Sequence, residues 1–167
     1  VMPNLPGKIG KGMSCLCKGK FAGNVDLKFA KKIFDLLGET LILKEDKMNA
    51  VTALSGSGPG FLYSLVAGKS LNEAKKFAAN DFMPVLEKCA GSLGFTKAQA
   101  KVLSETTVLG SIEFLEKSGL SAKDLTMQVA SKGGTTQAGL NELKGNIKFL
   151  PKAVKAAAKR AKELSRR

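Results

Sequence analysis

Between Asn24 and Leu37 the apolar residues return at Leu27, Ala30, Ile33, Phe34 and Leu37, the spacing of an amphipathic helix. Asn24 is its expected N-cap and Gly38 its expected C′ residue. On either side the period falls to two. Met13, Cys15 and Cys17 share one face of a strand within Gly12–Lys18, and Thr40–Lys44 reads as a second short strand. Strand, helix, strand in about thirty residues is one unit of a parallel sheet. One such unit cannot bury both its faces, so it predicts the tail of a larger sheet domain.

After Lys47 the pattern turns helical. Gly56-Ser57-Gly58-Pro59-Gly60 interrupts an apolar stretch and predicts a bend or helix junction. Leu71 to Leu93 is long and helical in character, with Pro84 as the expected kink and Gly94 as its end. Thr96 and Gln99 form a capping box for a helix running to about Lys117, with Val102, Leu109, Ile112 and Leu115 expected inward. Ser118-Gly119 breaks it, and Ser121 caps a shorter helix with Asp124 at N3. Pro151 suits the first turn of a last helix. That helix places Phe149, Leu150, Val154, Ala157, Ala161 and Leu164 on one side. Lys152, Lys155, Lys159, Lys162 and Arg166 lie on the other. The expected fold is therefore mainly α, a helical domain of residues 47–167 after a short strand–helix–strand unit of residues 1–46.

Composition narrows the chemistry. The chain has 167 residues, enough for one domain or one domain plus part of another, and 44% of them are hydrophobic. No apolar run approaches the roughly 18 residues of a membrane span, and no signal-peptide pattern is found. A chain beginning Val1-Met2-Pro3-Asn4 reads as part of something longer. Cys15, Cys17 and Cys89 have no framework spacing, which suits a reducing compartment, the cytoplasm. There is no histidine, so Cys15-Leu16-Cys17 would need carboxylates to complete a metal site; the cysteines read as strand residues and no metal is expected. The same lack removes histidine triads and the commonest general base. Any catalysis must use hydroxyls, backbone amides, carboxylates, lysine or a cofactor.

Net charge is +13, and the segment Lys144–Arg167 carries nine basic residues against Glu163 alone. Such a balance can serve nucleic acid. Here it lies on one helix face without interleaved aromatics, which favours a solvated face over a nucleic-acid groove.

Ser131-Lys132-Gly133-Gly134-Thr135-Thr136 leads straight into a helical run. Paired glycines allow positive φ, where successive N–H groups converge on an anion, and the helix N-terminus adds its dipole and unpaired amides. Thr135 and Thr136 add hydroxyls. The combination suits a carboxylate. The same residues would also make a plain helix–helix connection with a threonine N-cap. A P-loop is absent because Lys132 precedes the glycines, and no G-x-G-x-x-G occurs.

Several stretches together resemble the pyrroline-5-carboxylate reductases. They are Val1-Met2-Pro3-Asn4-Leu5-Pro6, the run from Val51 to Gly60, Thr106 to Ser111, Val129 to Leu143, and the tail from Ala156. They stand in the family's order and span most of the chain. The resemblance implies reduction of 1-pyrroline-5-carboxylate to L-proline, a reaction of proline biosynthesis, with NADPH or NADH. It implies a Rossmann-type domain of which residues 1–46 are the end, and a helical substrate-binding domain that forms a homodimer or larger homo-oligomer. Ser131, Gly133, Gly134, Thr135 and Thr136 would hold the substrate carboxylate. Thr136 would lie nearest the imine nitrogen as the catalytic hydroxyl, with solvent as the other proton source. Pro3 and Asn4 would lie near the nicotinamide, while Ser55 and Ser57 read as packing. Lys132 stands where the family has proline and Leu5 where it has threonine, and extra lysine-rich residues lie between Tyr63 and Leu86. Two alternatives remain: an oligomerisation module of this fold without chemistry, and a basic helical protein that binds nucleic acid.

Overall fold

The computed structural model describes residues 1–166. Strand β1 (Gly12–Leu16) and strand β2 (Gly38–Ile42) pair in parallel, with Gly12 opposite Gly38 and Leu16 opposite Ile42. Helix α1 (Asn24–Phe34) connects them and is extended by a 3-10 turn, Asp35–Leu37. Gly23, not Asn24, is its N-cap, and Asp26 reaches back to the Gly23 N–H at 2.8 Å. Gly38 does close the segment, but with φ of 132° it already begins β2. β1 is buried on both faces, so Ser14 and Leu16 are as enclosed as Met13 and Cys15. Cys17 falls just beyond it and is half-buried. α1 has no buried residue; Val25, Phe29 and Ile33 are exposed along it, and Leu36 along the turn that extends it.

The rest is helical. A single helical path runs through α2 (Met48–Val51), a π turn (Thr52–Gly56) and α3 (Gly58–Val66). The glycine-rich stretch is thus the expected junction, made without leaving helical backbone. It widens one turn to an i→i+5 pattern, with the Ser57 N–H donating to the Thr52 carbonyl at 2.8 Å, and Pro59 falls in the first turn of α3, where no donor is needed. The same solution recurs between α4 (Leu71–Phe77) and α5 (Met83–Ser92). There a π turn, Ala78–Phe82, comes just before Pro84 and spares the clash a proline makes with a preceding carbonyl.

Helix α6 (Lys97–Ser118) is opened by the expected box: Thr96 Oγ1 accepts from the Gln99 N–H at 3.3 Å, and Gln99 Oε1 accepts from the Thr96 N–H at 3.0 Å. Its inward face differs from expectation. Ala100, Leu103, Ser104, Thr107, Val108, Ser111, Ile112 and Phe114 are buried, whereas Val102 and Leu109 are exposed. Ser104 and Ser111 are tolerated on the inward face because they satisfy themselves on carbonyls one turn back, at 2.9 and 2.6 Å, whereas the buried Thr107 hydroxyl finds no partner among the described residues.

α7 (Ala122–Val129), capped by Ser121 as expected, precedes the glycine loop; α8 (Thr135–Leu143) and α9 (Leu150–Leu164) follow it. α9 buries Leu150, Ala153, Val154, Ala157 and Ala161 and leaves Lys152, Lys155, Lys159 and Lys162 in solvent. The main core joins Leu54, Phe61, Phe82, Leu86, Leu103, Leu143 and Val154. A smaller cluster of Tyr63, Phe114 and Leu125 lies beside it, with Tyr63 donating to the Ser111 carbonyl at 3.1 Å. Burial pushes the Tyr63 phenol up, with the Ser111 bond working against it, so it stays neutral as a structural donor. Among the described residues, no helix is long and apolar enough to cross a membrane.

Candidate functional site

The site lies where the π turn of the first helical path meets the start of α8. Thr136 is buried at 4% exposure, and its hydroxyl donates to Ser57 Oγ at 3.0 Å. Thr135 Oγ1 lies 3.1 Å from the same oxygen. Two hydroxyls therefore converge on that of Ser57, a residue that reads from the sequence only as packing. A Cβ on Gly60 would sit 2.7 Å from Thr136 Cγ2, so only glycine lets α3 approach α8 this closely.

The loop is a tight turn. Gly133 has φ of 70°, which glycine adopts without strain, and the Gly134 N–H donates to the Ser131 carbonyl at 3.0 Å. That amide is engaged within the turn in this conformation. Gly134 is the N-cap of α8 and, lacking a side chain, forms no side-chain cap bond, so the expected threonine cap is not what forms. The first-turn amides of α8 at Thr135, Thr136 and Gln137 are thus left to a ligand or water. Ser131 and Lys132 are exposed beside them.

Asn4 is tied to the same region. Its Nδ2 donates to the Ser55 carbonyl at 3.2 Å, and its Oδ1 accepts from the Met13 N–H at 2.9 Å. The side chain thus fastens β1 to the π turn, two residues from Ser57. Pro3 is exposed at that turn. Ser55 is buried and donates to the Val51 carbonyl at 3.1 Å. Burial pushes the neighbouring Cys15 thiol up to about 12, against a smaller lowering by its bond to Ser55, so it is no nucleophile.

A further residue escaped the sequence reading. Arg160 of α9 donates through Nε to the Gly133 carbonyl at 2.8 Å. Nothing in the sequence separates it from the lysines around it except its being arginine.

Residues 79–164 match a family model described as pyrroline-5-carboxylate reductase dimerisation. Pyrroline-5-carboxylate reductase 1 of Bacillus subtilis (strain 168) is 30% identical over 167 residues, covering 99% of this chain and 50% of that protein. Pyrroline-5-carboxylate reductase of Arabidopsis thaliana is 34% identical over 167 residues, with 99% of this chain and 54% of that one covered. The chain spans about half the length of these curated relatives. A crystal structure of Plasmodium falciparum pyrroline carboxylate reductase with NADP bound aligns with 97% of this chain and 59% of its own, at 30% identity and a TM-score of 0.47.

Proposed function

The chain belongs to the pyrroline-5-carboxylate reductase family, and on that footing we propose that it supplies the substrate loop and the subunit interface for NAD(P)H-dependent reduction of 1-pyrroline-5-carboxylate to L-proline. The observation that carries the proposal is the meeting of Ser57, Thr135 and Thr136 at the uncapped start of α8. A carboxylate there gains from the helix dipole, about 0.3–1 kcal/mol when exposed and up to about 2 when partly buried. Charge-assisted bonds to the free amides add to this.

The nicotinamide cofactor supplies the hydride when bound. This chain's part is to hold the imine carbon in line for it and to support protonation of the nitrogen. The Thr136 hydroxyl faces Ser57, and Ser57 faces the less buried Thr135, a path along which a proton can pass between site and solvent. Pro3 and Asn4 fit the cofactor as a wall. Each side-chain polar atom of Asn4 already makes one bond to the protein, and Pro3 has no donor. Residues 1–46 then form the end of a dinucleotide-binding layer, and residues 47–167 the helical domain, with most cofactor contacts coming from the region of the relatives that this chain does not span.

Homo-oligomerisation is supported by the matched dimerisation model and by an open apolar trough of about 510 Å³. Ala78, Ala79, Val108, Leu109 and Ile112 line it, flanked by the Lys75–Glu116 ion pair. Leu109 is 59% exposed there, which suits a second copy of the chain.

The test is oxidation of NADPH and NADH by the purified full-length protein with pyrroline-5-carboxylate, beside Thr136→Val. Turnover that falls about tenfold or more in the variant is expected, the scale of one lost transition-state hydrogen bond. A wild-type protein that holds cofactor and leaves it unoxidised would defeat the proposal.

A further inference from the structure

Given the carboxylate site proposed above, a loop already ordered would bind without the entropic cost of ordering its donors. Two glycines in succession work against that, since each has wide conformational freedom. The contact that offsets it comes from another helix. Arg160 Nε–H donates to the Gly133 carbonyl at 2.8 Å, while its Nη1 donates to Glu163 Oε2 at 3.1 Å. A Cβ on Gly133 would lie 3.7 Å from Nη2, so the guanidinium stands directly against the glycine turn.

The peptide plane between Gly133 and Gly134 is thereby held at both ends. Its carbonyl is fixed by Arg160, and its N–H by the Ser131 carbonyl at 3.0 Å. Because a peptide is planar, two such bonds on opposite sides fix its rotation. That plane leads directly into Thr135 and the free amides of α8. We propose that Arg160 is a positioning residue that clamps this peptide and so pre-forms the carboxylate site. Arginine suits the task and lysine does not, because the bond to Gly133 uses the side-on Nε–H while Nη1 is occupied by Glu163. Lys152, Lys155 and Lys159 on the same helix are exposed and make no hydrogen bond to the loop among the described residues.

Lys132 gives a direct readout, since it is exposed and immediately precedes Gly133. Full-length protein is digested with trypsin under native conditions, and cleavage after Lys132 is followed by intact mass against cleavage after Lys20. L-proline affinity is measured in parallel by calorimetry. Arg160→Gln is expected to speed cleavage after Lys132 severalfold without changing cleavage after Lys20. It should also weaken L-proline binding roughly threefold to tenfold, the worth of one partly exposed charged hydrogen bond. Arg160→Lys, which keeps the charge, should restore little of either. Lys159→Gln, which removes a charge from the same helix away from the loop, should change neither.

Unchanged cleavage and affinity in Arg160→Gln would overturn the clamp. So would full recovery in Arg160→Lys, which would make the effect one of charge. A wild-type protein without L-proline affinity would defeat the carboxylate reading instead, and the cleavage data would still decide whether Arg160 holds the turn.

Discussion

Thr136 and Ser57, 79 positions apart, bring their hydroxyls to 3.0 Å, and both residues are buried. One stands in the first turn of α8 and the other at the end of a π turn. The two segments meet through these side chains, and Gly60 sets how near they come.

Gly60→Ala should therefore destabilise the protein. The added methyl meets Thr136 Cγ2 at 2.7 Å and Val129 Cγ1 at 3.2 Å. Overpacking of this kind costs about 1–3 kcal/mol, partly offset by the better helix propensity of alanine, about 1 kcal/mol. Thr136→Ser removes the offending methyl and keeps the hydroxyl. In urea denaturation the double variant should be more stable than the sum of the two single changes predicts.

Leu109→Asp should leave the monomer folded and change its association. The side chain is more than half exposed, so its loss opens no cavity. A charge in the apolar trough should raise the dissociation constant for self-association at least about tenfold, the cost of burying one unpaired charge. Sedimentation equilibrium against wild type reads this directly. An association state that ignores the substitution would place the interface elsewhere.

The three cysteines should react in two classes. Burial pushes Cys15 up to about 12 and Cys89 up to about 11, the latter against a small lowering by Lys155. Thiolate is the reactive form, so both should resist iodoacetamide in the native protein. Cys17, half-buried beyond β1, should be alkylated first. Mass spectrometry with and without denaturant should show one modification and then three.

Acid should destabilise the protein in a single region of pH. Glu73 is held below its ordinary 4.5 by bonds from the Ser70 hydroxyl and N–H, and Glu113 is held below it by Lys117 and, more weakly, Lys11. Asp35 is held below 3.8 by bonds from Lys31 and Thr40. Each depressed carboxylate stabilises the fold fully above its unfolded value and loses that contribution as pH falls through the folded one. With no histidine in the chain, the melting temperature should show no step near about pH 6.5 and should fall below about pH 4.5. Carboxyl NMR titration would assign the fall to these three groups.

Much of the helical half was legible because its signals are local. Thr96 with Gln99, Ser121 with Asp124, and Pro151 each fix a helix start within a few residues of themselves. Gly56 to Gly60 marked the junction but not its form, because a break and a widened turn need the same residues. Val102 and Leu109 misled because apolar spacing reveals a covered face but not what covers it. In the site, the glycine–threonine loop was visible as a pattern. Ser57 and Arg160 were not, since their roles exist only through contacts 79 and 27 positions away.

The π turn at Thr52–Gly56 holds one residue more than an α-helix would need over the same rise. Deleting one of those five residues would leave an unbroken and better regularised helix. It would also turn everything beyond it by roughly 100° relative to everything before it. If the residue lost is Gly56, Ser57 would swing off Thr136 while Ser55, before it, kept its bond from Asn4. The alignment of the two halves of the site is thus stored as a residue count, open to loss by a single codon deletion that removes no functional side chain.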